Sequence, residues 1–265
     1  GGPGDVAHKV HVFLPRGYGR CSGPYPVVYM NDGDTSFWPG GGGGKSWRVQ
    51  DVLSTLYAGR RLRQVIVVAI VPVDRDVEYS HVEVAPDRGC CGADRYVRYI
   101  ADAVRPFINA SYRTRRDRDS TLIVGSSRGG LSAFYLATRR PDVFGQAICM
   151  SSSFWAGLDP VFGGSYPGGP LGAAPIVAQV QTTLHDRMRR PRLWIDWGLV
   201  RTGGAHNSVI EDAATRRGRE MQGILTGTYG YVGGRDLFAL EDPVGEHDEL
   251  SWGRRLRDAL PALWP

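Results

Sequence analysis

Short apolar, β-branched runs recur along the chain, and helical patterns separate most of them. Lys9 to Leu14, Val27 to Met30, Val65 to Val71, Thr121 to Val124, Gln146 to Met150, Leu193 to Trp197 and Leu237 to Glu241 read as strands. The clearest helix is Ala93 to Asn109, where Tyr96, Val97, Ile100, Val104, Phe107 and Ile108 repeat on one face and Pro106 is expected to kink or divide the run. Further helices are expected over Trp47 to Leu56, Leu131 to Thr138, Pro175 to Met188, Ala213 to Leu225 and Leu250 to Leu263. Strands alternating with helices predict an α/β fold with a mainly parallel sheet covered on both faces. Lys9 to Leu14 and Val27 to Met30 have no helix between them, so the first strands are expected to be antiparallel. With no internal repeat and no linker, residues 1–265 are expected to form a single α/β domain. Two glycine-rich stretches, Gly40 to Gly44 and Gly157 to Gly172, suit surface loops or a mobile rim, and the second is read as lid-like near 157–172.

The sharpest local signal is Gly125-Ser126-Ser127-Arg128-Gly129, with Gly130 behind it. It follows the strand Thr121 to Val124 and leads into the helix from Leu131, the setting of a nucleophile elbow. In such a turn a serine hydroxyl is lifted above the sheet, and glycine two residues either side avoids a clash with the neighbouring backbone. Ser127 is therefore the candidate nucleophile.

Serine attacks a carbonyl only when a base removes its proton, and in this kind of fold the chain order is serine, acid, histidine. His247 fits: it follows the strand Leu237 to Glu241 and precedes the last helix. His8, His11, His81 and His185 lie where structural roles are expected, and His206 is the competitor. The acid should follow the strand Leu193 to Trp197; Glu211 is preferred, Asp212 comes next, and Asp196 and Asp248 are weaker options. A tetrahedral oxyanion needs backbone N–H donors worth about 2–4 kcal/mol each. The amide of Arg128, directly after the nucleophile, and that of Asp34, in the loop after Val27 to Met30, are the candidates. Phe37, Trp38, Phe154 and Trp155 follow strands and are candidates either to line a substrate pocket or to serve as core.

Composition narrows the function further. The net charge is +5, but the arginines fall in separate groups at 60–63, 113–118 and 187–192, without the interleaved aromatics of a nucleic-acid surface. No nucleic-acid partner is expected. Cys21, Cys90, Cys91 and Cys149 have neither zinc-ligand nor redox-pair spacing, so no metal and no cofactor are expected. Adjacent cysteines such as Cys90 and Cys91 do not readily bridge each other, and a bridge to Cys21 is an open alternative. No run is long enough for a membrane span and no leader is recognised, which favours the cytoplasm over secretion. The chain nevertheless opens on Gly1-Gly2-Pro3, so an upstream segment could have been removed.

Several ordered motifs together resemble the putative esterase family of α/β hydrolases. They are Tyr25 to Gly33, Gly92 to Tyr96 leading to Pro106-Phe107-Ile108, Tyr112-Arg113-Thr114, the elbow, Pro141 to Phe144, Ser151 to Trp155, and His247-Asp248 with Trp252. That family includes esterase D, enterochelin esterases, feruloyl esterases and mycolyltransferases. The resemblance implies Ser127 as nucleophile, His247 as base and the Asp34 and Arg128 amides as oxyanion hole. It departs at Arg128, where leucine or methionine is frequent, and in the longer loop that carries Glu211, which leaves room for a Ser-His dyad. The expected function is hydrolysis of a small-molecule carboxylic ester through an acyl-enzyme, with a siderophore lactone or a feruloyl-type ester among the candidate substrates. An acyltransferase would use the same residues, and a non-catalytic binding module is the reading from another class. An arginine-rich rim would favour anionic ligands. Oligomeric state is left open.

Overall fold

The structure is a computed structural model, and it describes residues 7–19, 23–41, 43–84, 89–161 and 168–264. Its centre is a seven-stranded sheet of order β1-β3-β2-β4-β5-β6-β7. The strands are β1 (Val10–Phe13), β2 (Val27–Met30), β3 (Ile66–Ile70), β4 (Thr121–Ser126), β5 (Gln146–Met150), β6 (Arg192–Gly198) and β7 (Leu237–Asp242). Every pairing is parallel except that of β1, which runs antiparallel to β3. The antiparallel start is as the sequence predicts, but the partner is β3, because β2 lies one place further in, between β3 and β4.

Period-two alternation divides the central strands between two apolar layers. Val27 and Tyr29 of β2, Ile123 of β4 and Ala147 and Cys149 of β5 face one layer. Val28, Met30, Leu122, Val124, Ile148 and Met150 face the other. The helices Arg128–Arg139 and Asp212–Gly227 cover the first layer through Leu131, Phe134, Met221 and Leu225. Val49–Ala58 and Glu249–Leu263 cover the second through Val52, Leu53, Leu256 and Leu260. Sheet strands buried on both faces need no polar side, which is why their runs are continuous rather than alternating in the sequence.

Some expected helices are subdivided. The run from Ala93 is helical over Ala93–Tyr99, widens into a π-turn at Ile100–Val104 and resumes over Arg105–Ser111. Pro106, which has no N–H to donate into a continuing helix, falls directly after that wider turn, in the first turn of the last segment. The stretch from Pro175 forms two short helices, Pro175–Ala178 and Gln181–His185.

Cys90 and Cys91 are joined to each other by a disulfide, against the sequence expectation; the peptide between them is cis and their Cα atoms lie 3.3 Å apart. Cys21 lies outside the described residues. Cys149 is a buried free thiol whose pKa burial pushes up. Among the described residues no helix is long and apolar enough to cross a membrane.

Candidate active site

The loops that follow β2, β4, β5, β6 and β7 all leave the same edge of the sheet, the carboxyl edge where ligands bind in open α/β sheets. Because β2, β4, β5, β6 and β7 are successive neighbours, their loops converge on one cavity of about 800 Å³. Ser127, His247, Asp34, Arg128 and Trp155 all line it, as do His206 and Ser153.

Ser127 stands at the bend between β4 and the helix Arg128–Arg139, with φ 55° and ψ −124°. A left-handed φ is unfavourable for a residue with a Cβ, typically by about 1–3 kcal/mol. Here two hydrogen bonds hold it: the Ser127 N–H donates to Met150 O at 2.9 Å, and the Ser153 N–H donates to Ser127 O at 3.0 Å. The flanking glycines are sterically required. A Cβ on Gly125 would lie 2.1 Å from Gly129 O, and one on Gly129 would lie 2.7 Å from Asp32 Oδ2. The loop after β2 is tied to the same helix, since Asn31 Nδ2 donates to Gly129 O at 2.8 Å.

His247 Nε2 lies 3.0 Å from Ser127 Oγ, and its Nδ1 hydrogen-bonds Glu211 Oε2. An ionised carboxylate only accepts, so Nδ1 carries the ring proton and Nε2 is left as an acceptor for the serine hydroxyl. The ring is also packed edge-on against Trp252, with centroids 5.1 Å apart, and the His247 N–H donates to Asn207 Oδ1 at 2.8 Å. Both Asn207 and Glu211 belong to a π-turn, His206–Glu211, that precedes the helix Asp212–Gly227. The wider turn aims Glu211 inward and leaves Asp212 outside, where it pairs with Arg201 and Arg216 at 3.3 Å.

Glu211 is fully buried, and its second oxygen accepts from the Ser151 hydroxyl at 2.9 Å and from the Gly198 N–H. Burial alone pushes this carboxyl up, but His247, Arg255 and the Gly198 amide outweigh it and hold the group below the usual carboxylate range. Ser151 Oγ in turn accepts from Trp252 Nε1 at 3.1 Å and from Arg255 Nη2 at 2.8 Å. Arg255 also pairs with buried Asp196 at 3.1 Å. Burial raises the Asp196 pKa to about 6, with Arg255 opposing the rise. Asp196 therefore belongs to a layer beneath the site, while Asp248 caps the last helix through the Ser251 N–H and pairs with Lys45.

The remaining histidines are engaged elsewhere. His8 pairs with Glu78, His11 meets Trp38 edge-on, His81 stacks on Tyr135 with burial lowering its pKa to about 4, and His185 meets Tyr229. His206 faces the cavity with its ring centroid 6.0 Å from that of His247.

Of the aromatic candidates, only Trp155 is among the lining residues. Phe37 is instead stacked on Phe13 and tilted against Trp38, and Phe154 packs edge-on against Phe134 in the core. Gly41, Gly43 and Lys45 place the first glycine-rich stretch on the cavity rim. The lid-like stretch falls partly on residues 162–167, outside the described residues; its described flanks do not line the cavity. Residues that the spacing did not single out for chemistry are Ser151, Ser153, Asn207 and Arg255. The serine run after β5 was the available signal, since it ends a strand at the active edge.

Sheet order, crossovers and the strand-turn-helix bend define an α/β-hydrolase fold. The chain belongs to the Putative esterase family, whose sequence profile matches residues 5–263. It is 29% identical over 136 residues to an iron(III) salmochelin esterase of Escherichia coli, covering 51% of this chain and 30% of that protein. It is 27% identical over 150 residues to the uncharacterised protein YbbA of Bacillus subtilis, covering 54% and 56%. The chain thus spans about half the length of that relative and less of the salmochelin esterase. Among solved structures it resembles a siderophore hydrolase, EstA, of Aspergillus nidulans, with TM-score 0.67, 20% identity and 96% and 87% of the two chains covered. It also resembles an IroE-like serine hydrolase of Shewanella oneidensis, with TM-score 0.67, 19% identity and 96% and 74% covered.

Proposed function

We propose that the chain is the catalytic domain of a serine hydrolase that cleaves carboxylic esters through a Ser127-His247-Glu211 triad. The observation that carries this reading is one imidazole held between a serine hydroxyl and a buried carboxylate, in a cavity open to a ligand. His247 Nε2 accepts the Ser127 proton as Oγ attacks the ester carbonyl. Glu211 keeps the ring in the required tautomer and stabilises the imidazolium. The oxyanion is taken up by the amides of Arg128 and Asp34; the first opens a helix, whose positive end adds to the stabilisation. The imidazolium then protonates the leaving alcohol, and a water deprotonated by the same histidine releases the acid from Ser127. Names of relatives as siderophore and feruloyl esterases support lactone and feruloyl-type esters as the first substrates to try.

A fluorophosphonate probe tests the reading. The wild type is expected to be labelled at Ser127 and to turn over p-nitrophenyl butyrate, and Ser127→Ala to do neither. Labelling of another serine in Ser127→Ala, with activity kept, would overturn the assignment.

A further inference from the structure

The cavity walls carry an unexpected charge balance. Three cations face it, Lys45, Arg75 and Arg128, and each already has a carboxylate partner. Arg75 Nε and Nη2 donate to the two oxygens of Asp32 at 2.7 and 3.0 Å, Lys45 pairs with Asp248 at 2.6 Å, and Arg128 pairs with Asp76. Asp34, Glu246 and Glu249 line the same space, and among the described residues none of them has an ion-pair partner at salt-bridge distance. Glu246 accepts a hydrogen bond from Asn207 Nδ2 at 3.4 Å, and Lys45 acts on Glu246 and Glu249 at longer range while pairing directly with Asp248. The positive formal charge of the whole chain therefore does not extend to the catalytic cavity, where carboxylates outnumber cations.

A second feature points the same way. Trp155 and Trp252 line the cavity beside these carboxylates. Both indoles are buried, so they wall the cavity with apolar surface, and such low-dielectric walls strengthen direct Coulomb pairing between these carboxylates and an ammonium group. An anionic ligand would meet like charge there, with no cation lacking a carboxylate partner among the described residues.

We propose that the preferred substrate is a carboxylic ester bearing an ammonium group, with Asp34, Glu246 and Glu249 as its electrostatic recognition surface. This rests on the ester-hydrolase reading and reverses the sequence-based expectation of an arginine-lined rim for anionic ligands.

Three acetate esters that differ in the charge of the alcohol separate the possibilities: acetylcholine, its uncharged isostere 3,3-dimethylbutyl acetate, and 3-sulfopropyl acetate. At low ionic strength kcat/KM is expected to fall by roughly tenfold from cation to neutral ester and again from neutral to anion. Roughly 0.5 M salt should compress the series. Glu246→Gln/Glu249→Gln should lower the cation-to-neutral ratio severalfold, and measuring a ratio within one preparation cancels any loss of folded enzyme. Equal rates for the three esters, or preference for the sulfonate, would overturn the proposal while leaving the esterase reading intact. Failure to hydrolyse any of them, with no fluorophosphonate labelling, would overturn both.

Discussion

The Ser151 hydroxyl donates to Glu211 Oε1 at 2.9 Å while accepting from Arg255 and Trp252, so the acid of the proposed triad rests on a buried polar layer rather than on solvent. Low dielectric strengthens such a network when every member is satisfied and makes a gap in it costly.

Ser151→Ala removes one donor from Glu211 and strips Arg255 and Trp252 of a shared acceptor. A lost hydrogen bond to a buried charge amounts to about 1.5 kcal/mol, so kcat should fall roughly tenfold with a smaller change in KM. Steady-state kinetics on p-nitrophenyl butyrate checks this, and unchanged kcat would mean that the layer supports the fold alone.

His247 and His206 face the same cavity, but only His247 reaches Ser127. His247→Ala is expected to cost on the order of a thousandfold in kcat, and His206→Ala less than about threefold. The reverse pattern would transfer the base to His206.

Asp212 and Glu211 are adjacent in sequence yet point apart. Glu211→Ala should reduce kcat by about a hundredfold or more, whereas Asp212→Ala should stay within about twofold, because the latter loses only surface pairs with Arg201 and Arg216. Equal, small losses would favour a Ser-His dyad.

The folded protein holds Glu211 below the usual carboxylate range, so on acidification the unfolded chain takes up this proton first. Its contribution to stability is complete above the free carboxylate pKa of about 4.3 and is lost as pH falls through the lower folded value. The Tm gap between wild type and Glu211→Gln should therefore shrink below about pH 4; calorimetry across pH 3 to 7 measures it. A constant gap would show that the charge of Glu211 contributes nothing to folding.

Gly125→Ala places a methyl group 2.1 Å from Gly129 O, against backbone that cannot give way cheaply. A loss of about 2–3 kcal/mol is expected, lowering Tm by roughly 4–10 °C, with most fluorophosphonate labelling lost because the elbow must open. Thermal denaturation and labelling at one temperature separate the two effects.

What the sequence made legible follows from local rules. Ser127 was visible because a strand, a pair of glycines and a helix stand in order, and His247 because it follows the last strand. Glu211 was preferred with Asp212 next, and the π-turn that aims the first inward and leaves the second outside has no periodic signal in the sequence. Phe37 and Trp38 were candidates for the pocket because they follow a strand, but their loop turns back onto Phe13. The bond between Cys90 and Cys91 and the β1 to β3 pairing also escaped, because each depends on backbone path rather than composition. The pairing of the cavity arginines was invisible for a related reason. Asp32 and Arg75 are far apart in the chain and meet only through tertiary contact.

The two ends of the first glycine-rich stretch are joined by the Gly40 N–H to Lys45 O bond at 3.3 Å, and Gly41 and Gly44 both adopt positive φ. It borders the cavity but contributes none of the three proposed triad groups. Its last residue, Lys45, pairs with Asp248 beside His247, so exchanging this stretch between homologues should change the charge at the cavity rim while leaving the proposed triad in place.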